Sequence, residues 1–137
     1  MQHRVQELSW LPDIEWLSPE DAARIHDRAD RLQSREHYGL VPELVRVVER
    51  VSAKTDMTKW LLVRVPARTL RVLIVFARGQ VCRLSTTTFI ESWQDIFCPS
   101  RDDAIILDED ADWVLFYCHE DEFEFGHILP TEADAPN

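Results

Sequence analysis

Asp108, Asp110 and Asp112 alternate in the run Asp108-Glu109-Asp110-Ala111-Asp112, which is how a calcium-binding loop opens. The rest of such a loop is missing. Trp113 stands where a glycine must turn the chain, and His119 stands where a bidentate glutamate closes the coordination sphere. The run can still present carboxylates at a hairpin turn, either to solvent alone or to a basic partner. A second cluster, His119-Glu120-Asp121-Glu122-Phe123-Glu124-Phe125-Gly126-His127, holds two histidines and four acids. A histidine beside a carboxylate has the makings of a general acid–base pair. A helical zinc site needs two histidines one turn apart, and Phe123 occupies that place after His119. Cys118 and His119 are sequential, so on a strand they point to opposite faces. The spacing therefore calls for no metal and no cofactor. Gly126 is expected to answer a backbone need such as a positive φ.

Other chemistry is sparse. There is no G-x-S-x-G elbow, and three glycines in the whole chain argue against a Gly-rich phosphate loop. No nucleophile constellation stands out around Cys82, Cys98 or Cys118, and the acids after Cys118 work against thiolate formation there. Arg24, Arg28, Arg31 and Arg35 form a ridge at helical spacing that could grip phosphates. Glu20–Arg24 and Asp27–Arg31 are also good i,i+4 pairs, so the ridge reads equally as a salt-bridged solvent face.

Charge is divided along the chain. Residues 1–86 carry 14 Lys and Arg against 11 Asp and Glu, whereas residues 87–137 carry one basic residue, Arg101, against 14 acids. The formal net charge is −10. An acidic surface repels nucleic acid and anionic membrane and attracts basic proteins. The expectation is a basic protein partner, no nucleic acid and no membrane. The three cysteines include no C-x-x-C pair and read as free thiols of a reducing compartment. The N-terminus has no apolar leader, and the longest apolar runs, Val72–Ala77 and Trp113–Cys118, are far shorter than a membrane span. Together these features predict a cytoplasmic protein.

The elements that must position these residues follow from periodicity. The first 17 residues read as an irregular lead-in. Ser18 and Pro19 open a helix over about 19–36, with Ala22, Ile25, Ala29 and Leu32 on one face. A second helix is expected from Pro42, because Glu43, Glu49 and Arg50 interrupt its valines at helical intervals. Trp60–Val65, Leu70–Ala77 and Val81–Leu84 read as strands. Thr88 and Glu91 suggest a capping box for a helix over about 88–97. Ala104–Leu107, Trp113–Cys118 and an edge strand at about 123–128 follow. Trp60, Trp93 and Trp113 fall at core positions, leaving Trp10 and Trp16 as candidates for exposure. The fold expected is α+β, with N-terminal helices packed on one face of a mostly antiparallel sheet of four to six strands. Residues 1–129 form a single domain, and residues 130–137 form a polar C-terminal tail.

The stretches Asp103–Asp108, Asp112–Glu120 and Phe123–Gly126, set within residues 88–128, resemble the C-terminal part of small bacterial immunity proteins of polymorphic or contact-dependent toxin systems. That resemblance implies a non-enzymatic protein that neutralises a toxin domain, often a nuclease, by direct binding. A nuclease must hold a polyanion, so its active face is basic, and an acidic surface complements it. The residues expected to bind the partner are Asp108, Glu109, Asp110, Asp112, Glu120, Asp121, Glu122 and Glu124, with Tyr117 or Phe123 as an aromatic anchor. Two alternatives stand beside this reading. One is a small hydrolase or metal-assisted enzyme using His119, Glu120, Glu124 and His127. The other is a soluble domain whose acidity only keeps it in solution.

Overall fold

The computed structural model describes residues 2–34, 39–53, 57–110 and 112–130. Arg35 of the ridge, Ala111 of the acidic turn and the tail from residue 131 lie outside the described residues. The architecture is α+β, built on one large antiparallel sheet. In chain order the elements are α1 (Gln2–Glu7), β1 (Glu15–Trp16), α2 (Pro19–Asp30), β2 (Gln33–Ser34), β3 (Gly39–Leu40), β4 (Val45–Ser52), α3 (Met57–Arg64), β5 (Arg71–Ala77), β6 (Gln80–Ser85), α4 (Thr86–Ile96), β7 (Ala104–Asp108), β8 (Trp113–Cys118) and β9 (Glu122–Ile128). Seven strands form the main sheet in the order β1-β6-β5-β7-β8-β9-β4, and β2 and β3 form a small hairpin. No described helix is long and apolar enough to cross a membrane.

The sheet is wider than the four to six strands expected, and its helices do not share one face. Strand β8 shows why. All six of its residues are buried. Trp113, Leu115 and Tyr117 point into a core with Leu61 of α3 and Phe89 and Trp93 of α4. Val114, Phe116 and Cys118 point the other way, into a core with Ala22, Ile25 and Ala29 of α2. A strand apolar at every position must be covered on both sides. Helix α2 therefore takes one face, and α3 and α4 take the other. Helix α4 also carries the chain across that face, so that β7 pairs with β5 instead of β6.

Two elements exchange type relative to the sequence reading. The segment after Pro42 is strand β4, not a helix. Its β-branched valines favour the extended chain, and its Arg46, Glu49 and Arg50 are the polar residues of an exposed sheet edge. Conversely, Trp60–Val65 is not a strand. Helix α3 buries Met57 and Leu61, with Val65 one turn beyond. Leu62 and Val63 are exposed apolar residues on its outer side, and they hide the helical period. Helix α2 stops at Asp30, where the chain turns into the β2–β3 hairpin, short of the expected residue 36. The cap of α4 is Ser85, whose Oγ accepts from the Thr88 N–H at 3.1 Å. Strand β9 is not an edge, because β4 pairs along its outer side from Val45↔Ile128 to Ser52↔Glu122.

Gly126 has no positive φ. It is needed for space: a Cβ there would stand 2.3 Å from Val45 Cγ1 and 3.0 Å from the Arg46 carbonyl oxygen. The sequence expectation about its backbone is corrected accordingly.

Candidate functional site

The two acidic clusters lie at opposite ends of the sheet. Asp108–Asp112 joins β7 to β8, and His119–Asp121 joins β8 to β9. Six residues of extended strand separate them, about 20 Å at the antiparallel rise. The eight carboxylates expected to bind a partner therefore do not form one patch.

At the first end, Asp108 is only 4% exposed. Its Oδ1 accepts from the Asp112 N–H at 2.8 Å and so closes the turn. Burial pushes the Asp108 carboxyl up. The backbone N–H groups of Asp112 and Trp113 pull it back in part, and the charges of Asp112 and Asp110 add to the rise. With Asp108 spent on the turn, Glu109, Asp110 and Asp112 face solvent. Glu109 pairs with Arg83, which also reaches Glu15 at 3.1 Å. Asp112 pairs with Arg68 at 3.3 Å. Asp110 makes no ion pair among the described residues. A recess of about 300 Å³ with mixed charge lies between Arg68–Arg71 and Asp108–Asp110. The neutralising arginines here come from β6 and from the loop after α3. Of the helix α2 ridge, Arg24 pairs with Asp21 at 3.3 Å, and Asp27 pairs with Arg78 at 2.8 Å.

At the second end, Glu120 is exposed and makes no ion pair among the described residues. Asp121 takes a left-handed φ of 61°. Its carboxylate accepts from the Tyr117 hydroxyl at 2.8 Å, and its carbonyl accepts from the Ala53 N–H at 2.8 Å. Burial, and then this carboxylate, push the Tyr117 hydroxyl pKa well up. Glu122 pairs with Arg50 at 3.0 Å. Glu124 is 8% exposed and structural: it accepts from the Leu40 N–H at 2.7 Å and from Arg50 Nη1 at 3.1 Å. Asp108 and Glu124 are thus corrected from surface carboxylates to buried ones. Tyr117 and Phe123 are buried among Phe97 and Trp93, so neither is an exposed aromatic anchor.

The residues of the hydrolase alternative do not converge. His127 pairs in register with Trp113, at the far end of β8 from His119, and packs edge-on against Phe125 at 5.4 Å. His119 instead meets a residue that sequence reasoning passed over. Asp103 Oδ1 accepts from the His119 N–H at 2.8 Å and lies 2.9 Å from its Nδ1. Cys118 Sγ lies 4.0 Å from the same Nδ1. The rule that neighbours on a strand diverge stops applying at Cys118, because His119 already belongs to the turn. Counting outward along the β7–β8 pair from Ala104↔Tyr117 brings Asp103 opposite Cys118, a register that the structure supplies and the sequence does not. Hydrogen bonding and charge from Asp103 raise the His119 pKa. Burial raises that of the Cys118 thiol, helped by Asp103 and opposed by the Glu120 N–H. Comparison with protein-family models, with curated proteins and with solved structures finds no match for this chain.

Proposed function

We propose that this chain is an acidic protein-binding module of the immunity-protein kind, whose β7–β8 turn engages the basic face of a toxin domain, for instance a nuclease. One observation carries the reading. The buried Asp108 carboxylate holds the turn closed, so Glu109, Asp110 and Asp112 are offered from a preorganised hairpin. Preorganisation removes part of the ordering cost of binding, and the carboxylates steer a cationic partner. Arg83 and Arg68 compensate two of the three, which leaves Asp110 as the strongest single contributor. A basic partner would have to displace or bridge those arginines, and this favours a partner rich in guanidinium groups over one carrying isolated lysines.

The test compares the tagged protein with a Glu109→Gln/Asp110→Asn/Asp112→Asn variant and with a Glu120→Gln control, each used for affinity capture from its own cells at low and high salt. The expected result is one stoichiometric basic partner, lost in the triple variant and at high salt and kept by the control. Equal capture by all three proteins removes the turn from the interface. No salt-sensitive partner from cells that express the candidate toxin overturns the reading.

A further inference from the structure

We propose that Asp103, Cys118 and His119 form a binding site for a borderline-soft divalent metal ion of the zinc class. The ligand atoms Asp103 Oδ, Cys118 Sγ and His119 Nδ1 all lie within 4.8 Å of one another, and no other trio of His, Cys, Asp or Glu among the described residues converges in this way. The register builds the site. Asp103 directly precedes β7 and Cys118 ends β8, so continuing the Ala104↔Tyr117 register places them opposite each other, and the turn brings the His119 ring to both.

The donor set selects the metal. A thiolate and an imidazole suit zinc, whereas calcium and magnesium take oxygen ligands. With bond lengths of about 2.3 Å to sulfur and about 2.0–2.2 Å to nitrogen and oxygen, a tetrahedral centre sets S···N near 3.6 Å and N···O near 3.4 Å. The observed separations are 4.0 Å and 2.9 Å. Each differs from the ideal by about half an ångström or less, a side-chain adjustment. On binding, the ion displaces the proton held between Asp103 and His119 and the proton of the Cys118 thiol, and both protons leave to solvent. Three protein ligands leave one tetrahedral position open to water or an external donor.

The surroundings support the ligands. The Glu120 N–H points at Cys118 Sγ at 3.5 Å, a hydrogen bond that favours thiolate. The His119 carbonyl accepts from the Ser100 N–H at 2.8 Å, and the Asp121 N–H donates to the Cys118 carbonyl at 2.8 Å, so both sides of the site are pinned. Outer contacts of this kind orient ligands and tune affinity. Cys118 is 1% exposed, while His119 and Asp103 are half-buried and give the ion its way in from solvent.

The experiment uses the full chain stripped with chelator, titrated with zinc against a chromophoric competitor and, separately, with cobalt followed by absorption. One equivalent should bind, and cobalt should develop thiolate-to-metal charge transfer in the near ultraviolet. Cys118→Ser should abolish that band and weaken zinc binding by more than the roughly 10–100-fold typical of outer-shell changes. His119→Gln and Asp103→Asn, both near the surface, should each weaken it at least tenfold and keep the melting transition. They carry the test if Cys118→Ser does not fold. Cys98→Ser, at the exposed cysteine, should bind as the unaltered chain does. No saturable binding to the unaltered protein overturns the proposal, as does binding that His119→Gln and Asp103→Asn leave unchanged.

Discussion

Glu124→Ala should cost about 3 kcal/mol of stability, and Glu124→Gln should cost about 1 kcal/mol. The carboxylate accepts from the buried Leu40 N–H at 2.7 Å. Truncation to alanine leaves that donor without a partner, which costs about 1–3 kcal/mol. It also removes a buried methylene, worth about 0.8 kcal/mol. The lost contact with Arg50 adds little, because that guanidinium is about one-third exposed and keeps Glu122 at 3.0 Å. Glutamine can still accept from Leu40 through its carbonyl oxygen and forfeits only the charge on Arg50. Urea unfolding at neutral pH measures both differences. In a chain of this size the alanine variant should melt roughly 10 °C lower. Hydrogen exchange at Leu40 should accelerate in the alanine variant and stay slow in the glutamine one. An alanine variant within about 1 kcal/mol of the parent, or a glutamine variant as damaged as the alanine one, would refute the assignment of Glu124 as the acceptor that ties the β2–β3 hairpin to β9.

Gly126→Ala should destabilise by about 1–3 kcal/mol and loosen β4, because the new methyl meets Val45 and the Arg46 carbonyl; Val45→Ala in the same chain should recover part of the loss, read as a double-mutant cycle by thermal unfolding. The Asp108 carboxyl is raised in the fold, so its contribution is fully present below its unfolded pKa of about 3.9 and is lost as pH rises through the folded value. Asp108→Asn should therefore gain on the parent between acid and neutral pH in urea midpoints, and a variant that loses ground to the parent as pH rises would contradict this. Thiol labelling of the native protein should modify the exposed Cys98 and spare both Cys118 and Cys82, whose thiol is buried and pushed up to about 12; peptide mapping distinguishes them.

Strands β5, β6, β7 and β8 were legible as short apolar runs bounded by turns, and helices α2 and α4 by their apolar period, although α2 ends and α4 begins earlier than that period suggests. Strand β4 and helix α3 were misread for related reasons. An edge strand needs few apolar residues, so the charges of β4 fell at intervals that imitate a helix. The outward Leu62 and Val63 filled the polar side of α3. The coverage of both faces was implicit in the unbroken apolar run of β8, but which helix covers which face depends on crossovers that periodicity does not encode. The acidic turns were visible as sequence. Their placement at opposite ends followed from β8 lying between them, and the burial of Asp108 and Glu124 depended on partners as distant as Leu40 and Arg50.

The pairing of β4 with β9 has a consequence for how the chain comes off the ribosome. Val45 waits for Ile128, and Trp16 of β1 waits for Cys82 of β6. Neighbouring strands from β5 onward find partners locally, so that part can close early, whereas β4 has no ladder to join until β9 has been synthesised. During that interval Val47 and Val48 are unpaired on an extended, β-prone segment. The flanking Arg46, Glu49 and Arg50 then act as gatekeepers that keep a nascent strand from pairing with its neighbour on the next ribosome.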